Sequence, residues 1–351
     1  MPASPLISVI VINWNRRELL EACLRSLQAQ LFQDFEVIVV DNGSHDGSLD
    51  TLDAAEARGE LRCIKNDTNR GFCAANNQGI AAARGAWVAL LNNDAEADPG
   101  WLAALADAAA RQPDYAMFAS KIVSYDDPEV IDKVGHLIYP DGQNRGRGTG
   151  ERDRGQYDRV EEVAWPDGCA ALYSKAMFDH IGGFDEDFFA YADDAELGLR
   201  ARIAGYRALA VPTAVVRHRL GSTLGRYSPQ RIFLIERNRL WLAFKLFPFR
   251  MWPMVPVYYA MRMAASAGSA AKGEGEAAAA GRNLGTAGLL KCLLRAHLAA
   301  LAGLPRMFLK RRKLRSLRKL SGGDVAAFLE RNRIPLAELV SRSSPSAVAS
   351  S

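Results

Sequence analysis

Two periods of apolar and polar positions run through this chain, and the points where one gives way to the other mark its elements. Residues 7–12 are almost continuously apolar and β-branched, the pattern of a strand buried on both faces of a parallel sheet. Asn13, Trp14 and Asn15 end the run. Asn15 with Glu18 predicts a capping box, and Leu19, Leu20, Cys23, Leu24 and Leu27 form the stripe of the following helix. Residues 37–40 are a second buried strand, stopped by the turn sequence Asp41-Asn42-Gly43-Ser44. A helix over residues 48–57 and a short strand over 61–64 complete a strand–helix–strand–helix–strand unit, the mark of a doubly wound sheet. The polar and small segment 69–79 opens another helix. Residues 87–91 are a third buried strand ending in Asn92-Asn93-Asp94. Ligands of such sheets bind at the carboxyl ends of strands, where both Asp41 and Asp94 fall.

A helix from Pro99 to Arg111 and a strand over 115–120 follow, and then the pattern weakens. The Gly- and Arg-rich residues 141–155 read as a mobile loop; Arg145, Arg147, Arg152 and Arg154 could contact phosphates, but a solvated loop suffices to explain them. Residues 163–173 are strand-like around Gly168, Ser174 is placed to cap a helix, and Gly182-Gly183 is placed to end it. Next comes a cluster of acids, Asp193, Asp194 and Glu196, opening a helix whose N-terminal partial charge favours them. A last strand over 209–216 closes at Arg217-His218-Arg219.

Beyond residue 228 the composition shifts to helical, Ala-rich and basic sequence. The expected division is a catalytic unit over 1–245, with a nucleotide half at 5–120 and an acceptor half at 121–245. A helical extension over 246–325 and a tail over 326–351 with a disordered end follow. Within the extension, residues 251–261 are apolar and aromatic, 289–304 amphipathic and 310–319 polybasic. Two uses fit that combination: peripheral attachment to the anionic, cytoplasmic face of a membrane, or a helical subdomain packed on the sheet. No stretch shows 18 clean apolar residues, so no membrane span is expected.

With 49% hydrophobic and 24% charged residues the chain can build an ordinary core. The net charge of +4 does not call for a nucleic-acid partner. Five scattered cysteines without a CxxC argue against a disulfide or zinc framework and for a reducing, cytoplasmic setting. There is no GxxxxGK[ST] loop and no GxGxxG after the first strand, which excludes a P-loop enzyme and a Rossmann dehydrogenase. Acids at strand ends suit a nucleoside diphosphate with a divalent metal, Mg2+ or Mn2+.

Taken in order, SVIVINWN, VIVVDNGSHDGS, NRGFCAANNQGI, LLNNDAE, IGGFDEDFFAYADDAELGLRARIAGYR and VVRHRLGST resemble the family 2 glycosyltransferases of the GT-A fold, in their rhamnosyltransferase-like form, over about residues 5–245. The resemblance implies an α/β, GT-A-type doubly wound mixed sheet flanked by helices, plus the C-terminal helical extension. It implies an inverting, metal-dependent transfer of a sugar from a nucleoside diphosphate, dTDP-rhamnose favoured and UDP-sugars open, to a hydroxyl of a saccharide or lipid-linked acceptor. Asp194 would be the base and Asp193 its supporting acid. Asp94 and His218 would hold the metal, and Asp41 would bond the nucleotide base. Asn13, Asn15, Asn69, Gly71, Asn77 and Asn93 would complete the nucleotide site. Trp165, Asp167 and Gly168 could line the acceptor pocket, although core packing explains Trp165 equally well. Two departures stand out: the strand-end motif holds one acid, and the usual Glu-Asp reads Asp193-Asp194. The alternative reading is a non-catalytic nucleotide-sugar or lipid-binding module on the same fold.

Overall fold

The buried runs form the centre of a mixed sheet in the structure, a computed structural model that describes residues 4–219 and 228–341. The first part alternates: β1 (Ile7–Asn13), α1 (Arg17–Gln28), β2 (Phe35–Asp41), α2 (Ser48–Ala57), β3 (Arg62–Lys65), α3 (Gly71–Ala82) and β4 (Trp87–Asn92). Then come β5 (Ala95–Ala97), α4 (Trp101–Arg111), β6 (Met117–Ser124), β7 (Ile131–Lys133), β8 (His136–Ile138), β9 (Asn144–Gly146) and β10 (Glu162–Val163). β11 (Ala170–Ser174), α5 (Lys175–Ile181), α6 (Asp193–Ile203) and β12 (Ala208–His218) complete the sheet region. The extension is α7 (Pro229–Leu246), α8 (Val255–Ala271), α9 (Gly275–Lys313), α10 (Gly322–Arg331) and α11 (Leu336–Ser341).

Strand order is β10-β12-β6-β11-β4-β1-β2-β3, with β5 on β12 and β7 on β6. β1 runs parallel to both β2 and β4, whereas β11 is antiparallel to β4 and β6. Successive side chains of a strand face opposite ways, so β1 feeds two cores. Ile7, Val9 and Val11 pack with α1, α2 and α4; Ile10 packs on the other face with α3 and α6. Register places Asn13 beside Asp41 and Ile12 beside Asn92, so the polar ends of three strands meet at one edge.

Several expectations change. No capping box forms at Asn15: Asn15 and Arg16 adopt φ of 58° and 65°, and the Asn15 side chain accepts from the His45 amide instead. Residues 141–155 are built into the fold, with β9 paired to β8. Arg145 donates to the carbonyls of Glu338 and Leu339, Arg147 to that of Val134, and Arg152 pairs with Glu129, so these guanidinium groups are tied to the protein. The tail expected from residue 326 contains most of α10 and all of α11, and the Ile334 amide bonds to Ile138 O. The end of the tail and the LGST of VVRHRLGST lie outside the described residues. α9, broken at Gly285, holds an 18-residue window of mean hydropathy 1.4, which reaches the range of membrane helices that the sequence reading had excluded.

Candidate active site

Asp41 ends β2 with its carboxylate fully buried. Oδ1 accepts from the amides of Gly43 and Ser44 at 3.1 and 2.8 Å; Oδ2 accepts from Asn13 Nδ2 and Ser44 Oγ at 2.9 and 2.6 Å. Four donors use the acceptor capacity of a carboxylate. Asp41 therefore builds the turn, and the expected open bond to a nucleotide base is not presented by this geometry. Asn13 Oδ1 in turn accepts from Asn93 Nδ2 at 2.8 Å, which couples β1 to β4. Ser44 Oγ also takes the Asn15 amide at 2.7 Å. Asn69 accepts from the Gly71 amide at 2.9 Å and opens α3.

Facing this edge is the start of α6. Phe189, Tyr191 and Ala192 hold left-handed φ of 66°, 68° and 56°, costly for residues with side chains. α7 enforces them: Asn238 Nδ2 donates to the carbonyls of Phe188, Ala190 and Tyr191 at 2.8–2.9 Å. Gly71, at φ 87°, lets Phe189 lie against α3, since a Cβ there would sit 2.5 Å from the Phe189 ring. The loop delivers Asp193 and Asp194 to the first turn of α6. Successive helical residues diverge by about 100°. Asp194 Oδ2 lies 3.0 Å from His136 Nε2 on β8, and Asp193 is buried.

From Asp194 an alternating line of charges crosses the site. His136 Nε2 is 2.8 Å from Asp167 Oδ2, and Lys133 Nζ is 3.1 Å from the same oxygen. Lys133 lies 3.6 Å from Asp132, which accepts from His218 Nδ1 at 2.8 Å. His218 Nε2 is 3.3 Å from Asp94 Oδ1. Acid and base alternate over seven side chains, so each buried charge has an opposite neighbour, which is what burial demands. Burial would lower the His136 pKa, but Asp194 and Asp167 outweigh it and raise it to about 9. Burial would raise that of Asp167, yet Lys133 and His136 hold it well below the usual carboxylate range. Burial also works against the His218 cation, but its neighbours raise that pKa well above the ordinary value. Of these neighbours, the Cys169 thiol is itself pushed up by burial and stays neutral, so Asp94 and Asp132 carry the effect. The Asp193 carboxyl is pushed well above its ordinary value by burial first and by Asp194 second.

Residues 8–182 match the sequence profile described as Glycosyl transferase family 2. The chain belongs to that family. A relative is the N-acetylglucosaminyl-diphospho-decaprenol L-rhamnosyltransferase of Mycobacterium tuberculosis, 28% identical in an alignment 266 positions long that covers 67% of this chain and 86% of that protein. Two solved structures share the GT-A fold. The mannosyltransferase PcManGT of Pyrobaculum calidifontis, solved with GDP-Man and Mn2+, matches at a TM-score of 0.50 and 21% identity over 87% of this chain and 88% of its own. GalNAc-T7, solved with UDP, GalNAc and Mn2+, matches at 0.57 and 14% over 72% of this chain and 49% of its own.

In this family 2 glycosyltransferase, Asp94 and His218 do meet, as the sequence reading required. A carboxylate and an imidazole whose far nitrogen is held by Asp132 are a chemically suitable part-shell for a divalent ion, and phosphate oxygens could complete it. His136, Asp167 and Asp194 also offer ligand atoms within 4.8 Å of one another. That spacing would admit an ion, but Lys133 already brings positive charge to Asp167. Asp167 thus belongs to the buried line of charges, between His136 and Lys133. Gly168 packs against Phe72, where a Cβ would stand 3.3 Å from its ring. Trp165 is fully buried with its side chain against Gly198, so the core reading holds and the acceptor role does not. Asn77 ties α3 to the turn before α6, donating to Phe184 O and Glu186 and accepting from the Phe184 amide at 2.8 Å. Glu196 pairs with Arg200 one helical turn on at 2.9 Å and with Lys245 of α7 at 2.6 Å. Sequence reasoning missed Asp132, Lys133, His136 and Asn238. The first three were legible only as polar positions among apolar ones in IDKVGHLI, which carries no clean period of either strand or helix.

Proposed function

We infer that this glycosyltransferase is an inverting enzyme moving rhamnose, from dTDP-rhamnose, to a hydroxyl of a lipid-linked or cell-surface saccharide. The observation that carries the reading is Asp194, at a helix N-terminus, held by His136 and standing at the opposite end of a continuous charge line from Asp94 and His218. Asp194 takes the proton of the acceptor hydroxyl. The freed oxygen pair attacks the anomeric carbon as the bond to the diphosphate breaks, and the new linkage has the opposite anomeric configuration. His136 and Asp167 orient Asp194 Oδ2. Asp94 and His218 would hold a divalent ion, which supplies charge for the departing diphosphate when bound. The choice of rhamnose and of a lipid diphosphate-linked acceptor is supported by the name of the M. tuberculosis relative.

The test is diphosphate release by the purified protein over a panel of nucleotide sugars, with Mg2+, Mn2+ or EDTA. Release of dTDP from dTDP-rhamnose that EDTA and Asp94→Ala both abolish is the expected result. Turnover undiminished by either would overturn the metal assignment, and exclusive use of another donor would overturn the choice of sugar.

A further inference from the structure

One helix of the extension presents apolar residues on two opposite sides. The inner side of α9 packs on α7: Cys292 Sγ bonds Pro229 O at 3.1 Å, and Trp241 Nε1 donates to Ala300 O at 3.0 Å. Cys292, Ala296 and Ala300 are buried there. Leu290, Leu294, Leu298 and Leu301 follow the same helical period on the far side and are 57–61% exposed. A soluble surface helix is polar where it faces water. Among the described residues, exposed large apolar side chains before the extension are isolated, at Leu6, Leu31 and Val160, and all the others lie between Phe249 and Leu309. A contiguous uncovered apolar face marks a surface that something else covers.

The chemistry at its border selects the occupant. Lys291 and Arg295 are exposed along one flank of the leucine row. Beside them, between α7, α9 and the turn before α6, lies a groove of about 770 Å³ lined also by Arg237, Phe233 and Leu284. Apolar residues flanked by cations are the profile of a helix lying in the interface of an anionic lipid surface. A second copy of this chain packed antiparallel through α9 would instead bring the cations of each copy towards one another. Only 17% of the most apolar window of α9 is buried, although its hydropathy reaches 1.4. The polybasic run has a smaller share in this than its composition implies. Lys310 pairs with Asp187 at 2.6 Å, and Arg311 is buried against the carbonyls of Phe244, Lys245 and Phe247.

We propose that the outer face of α9, centred on Leu294 and Leu298, seats in an anionic lipid monolayer, with Lys291 and Arg295 at headgroup level. The helix lies in the membrane plane and does not cross, because its inner side is committed to α7. This seat does not depend on the transferase reading, and flotation reads it without any activity. The full chain is floated with phosphatidylcholine vesicles and with vesicles that also contain phosphatidylglycerol, at low and high salt. Wild type is expected to float with the anionic vesicles. The double variant Leu294→Glu/Leu298→Glu should lose at least tenfold in bound fraction at an unchanged Tm. A second variant, Lys291→Glu/Arg295→Glu, should bind more weakly and lose its preference for phosphatidylglycerol and its salt dependence. No flotation of wild type, or equal flotation of the leucine variant, overturns the proposal. So does a wild-type dimer in lipid-free solution that the leucine variant abolishes while neither protein binds vesicles.

Discussion

Burial and Asp194 together push the Asp193 carboxyl well above its ordinary value, whereas Asp194 is the acid within reach of His136. Asp193→Asn should accordingly cost little, whereas Asp194→Asn removes the proton acceptor and should lower kcat by about a hundredfold or more, with donor affinity kept. Steady-state kinetics on both variants checks this, and the reverse order would make Asp193 the base. His136 provides a second test. Its pKa is raised to about 9, so its cation, and with it the hold on Asp194, is complete at neutral pH and fades as pH rises through 9. The rate should fall on that alkaline limb, and His136→Gln should lower kcat and remove the limb; an unaltered limb near 9 in the variant would exclude His136 as its source. At this scale the acids were legible because three carboxylates at the start of a helix are a local feature. Their partners were not: 58 residues of sequence separate His136 from Asp194, so nothing in either neighbourhood names the other.

The element that matters most is the turn from Glu186 to Ala192, which has little regular structure and three left-handed residues. Its shape is imposed from α7. Asn238→Ala strips a donor from three carbonyls, and we expect a stability loss of about 1–3 kcal/mol. Because the same turn sets the position of Asp194, kcat should fall at least about tenfold while the donor KM stays near its wild-type value. Denaturant unfolding and kinetics on one preparation measure both effects. Unchanged kcat would mean that α6 holds its own start. In the sequence, Asn238 is one polar residue on a helix rich in arginine, and its period points neither toward nor away from the turn.

For the whole molecule, buried charge pairs join the extension to the sheet region, as Asp185 with Lys245 and Lys310, and tie the helices of the extension together, as Glu236 with Arg239 and Arg262. Burial works against the Asp185 anion, but Lys245 and Lys310 outweigh it and hold its pKa at about 2; Arg239 and Arg262 do the same for Glu236, also at about 2. Unfolded carboxyls titrate near 4. Folded values below that mean each pair adds stability that is fully present above pH ~4 and is lost as pH falls toward 2, about 2–3 kcal/mol per group. Chemical unfolding from pH 6 to pH 2.5 should show that decline. Arg262→Met should reduce the share due to Glu236 and destabilise at neutral pH as well, since it leaves the buried Glu236 and Asp141 with Arg239 alone. A stability that is flat below pH 4 would show that these pairs do not contribute to it.

By itself the sequence determined the strands, their turns and the acids at their ends. A run such as SVIVI buries both faces of a strand wherever it sits, and Asp41-Asn42-Gly43-Ser44 must turn. Tertiary structure alone decided which polar groups meet. Asp41 is saturated by Asn13, Gly43 and Ser44, and His218 is set between Asp94 and Asp132 across 86 residues from the latter. It also decided that the leucines of α9 face outward. Their period is the same whether a helix turns them toward the core or away from it. Only the packing of Cys292 and Ala300 onto α7, on the opposite side, leaves that row uncovered.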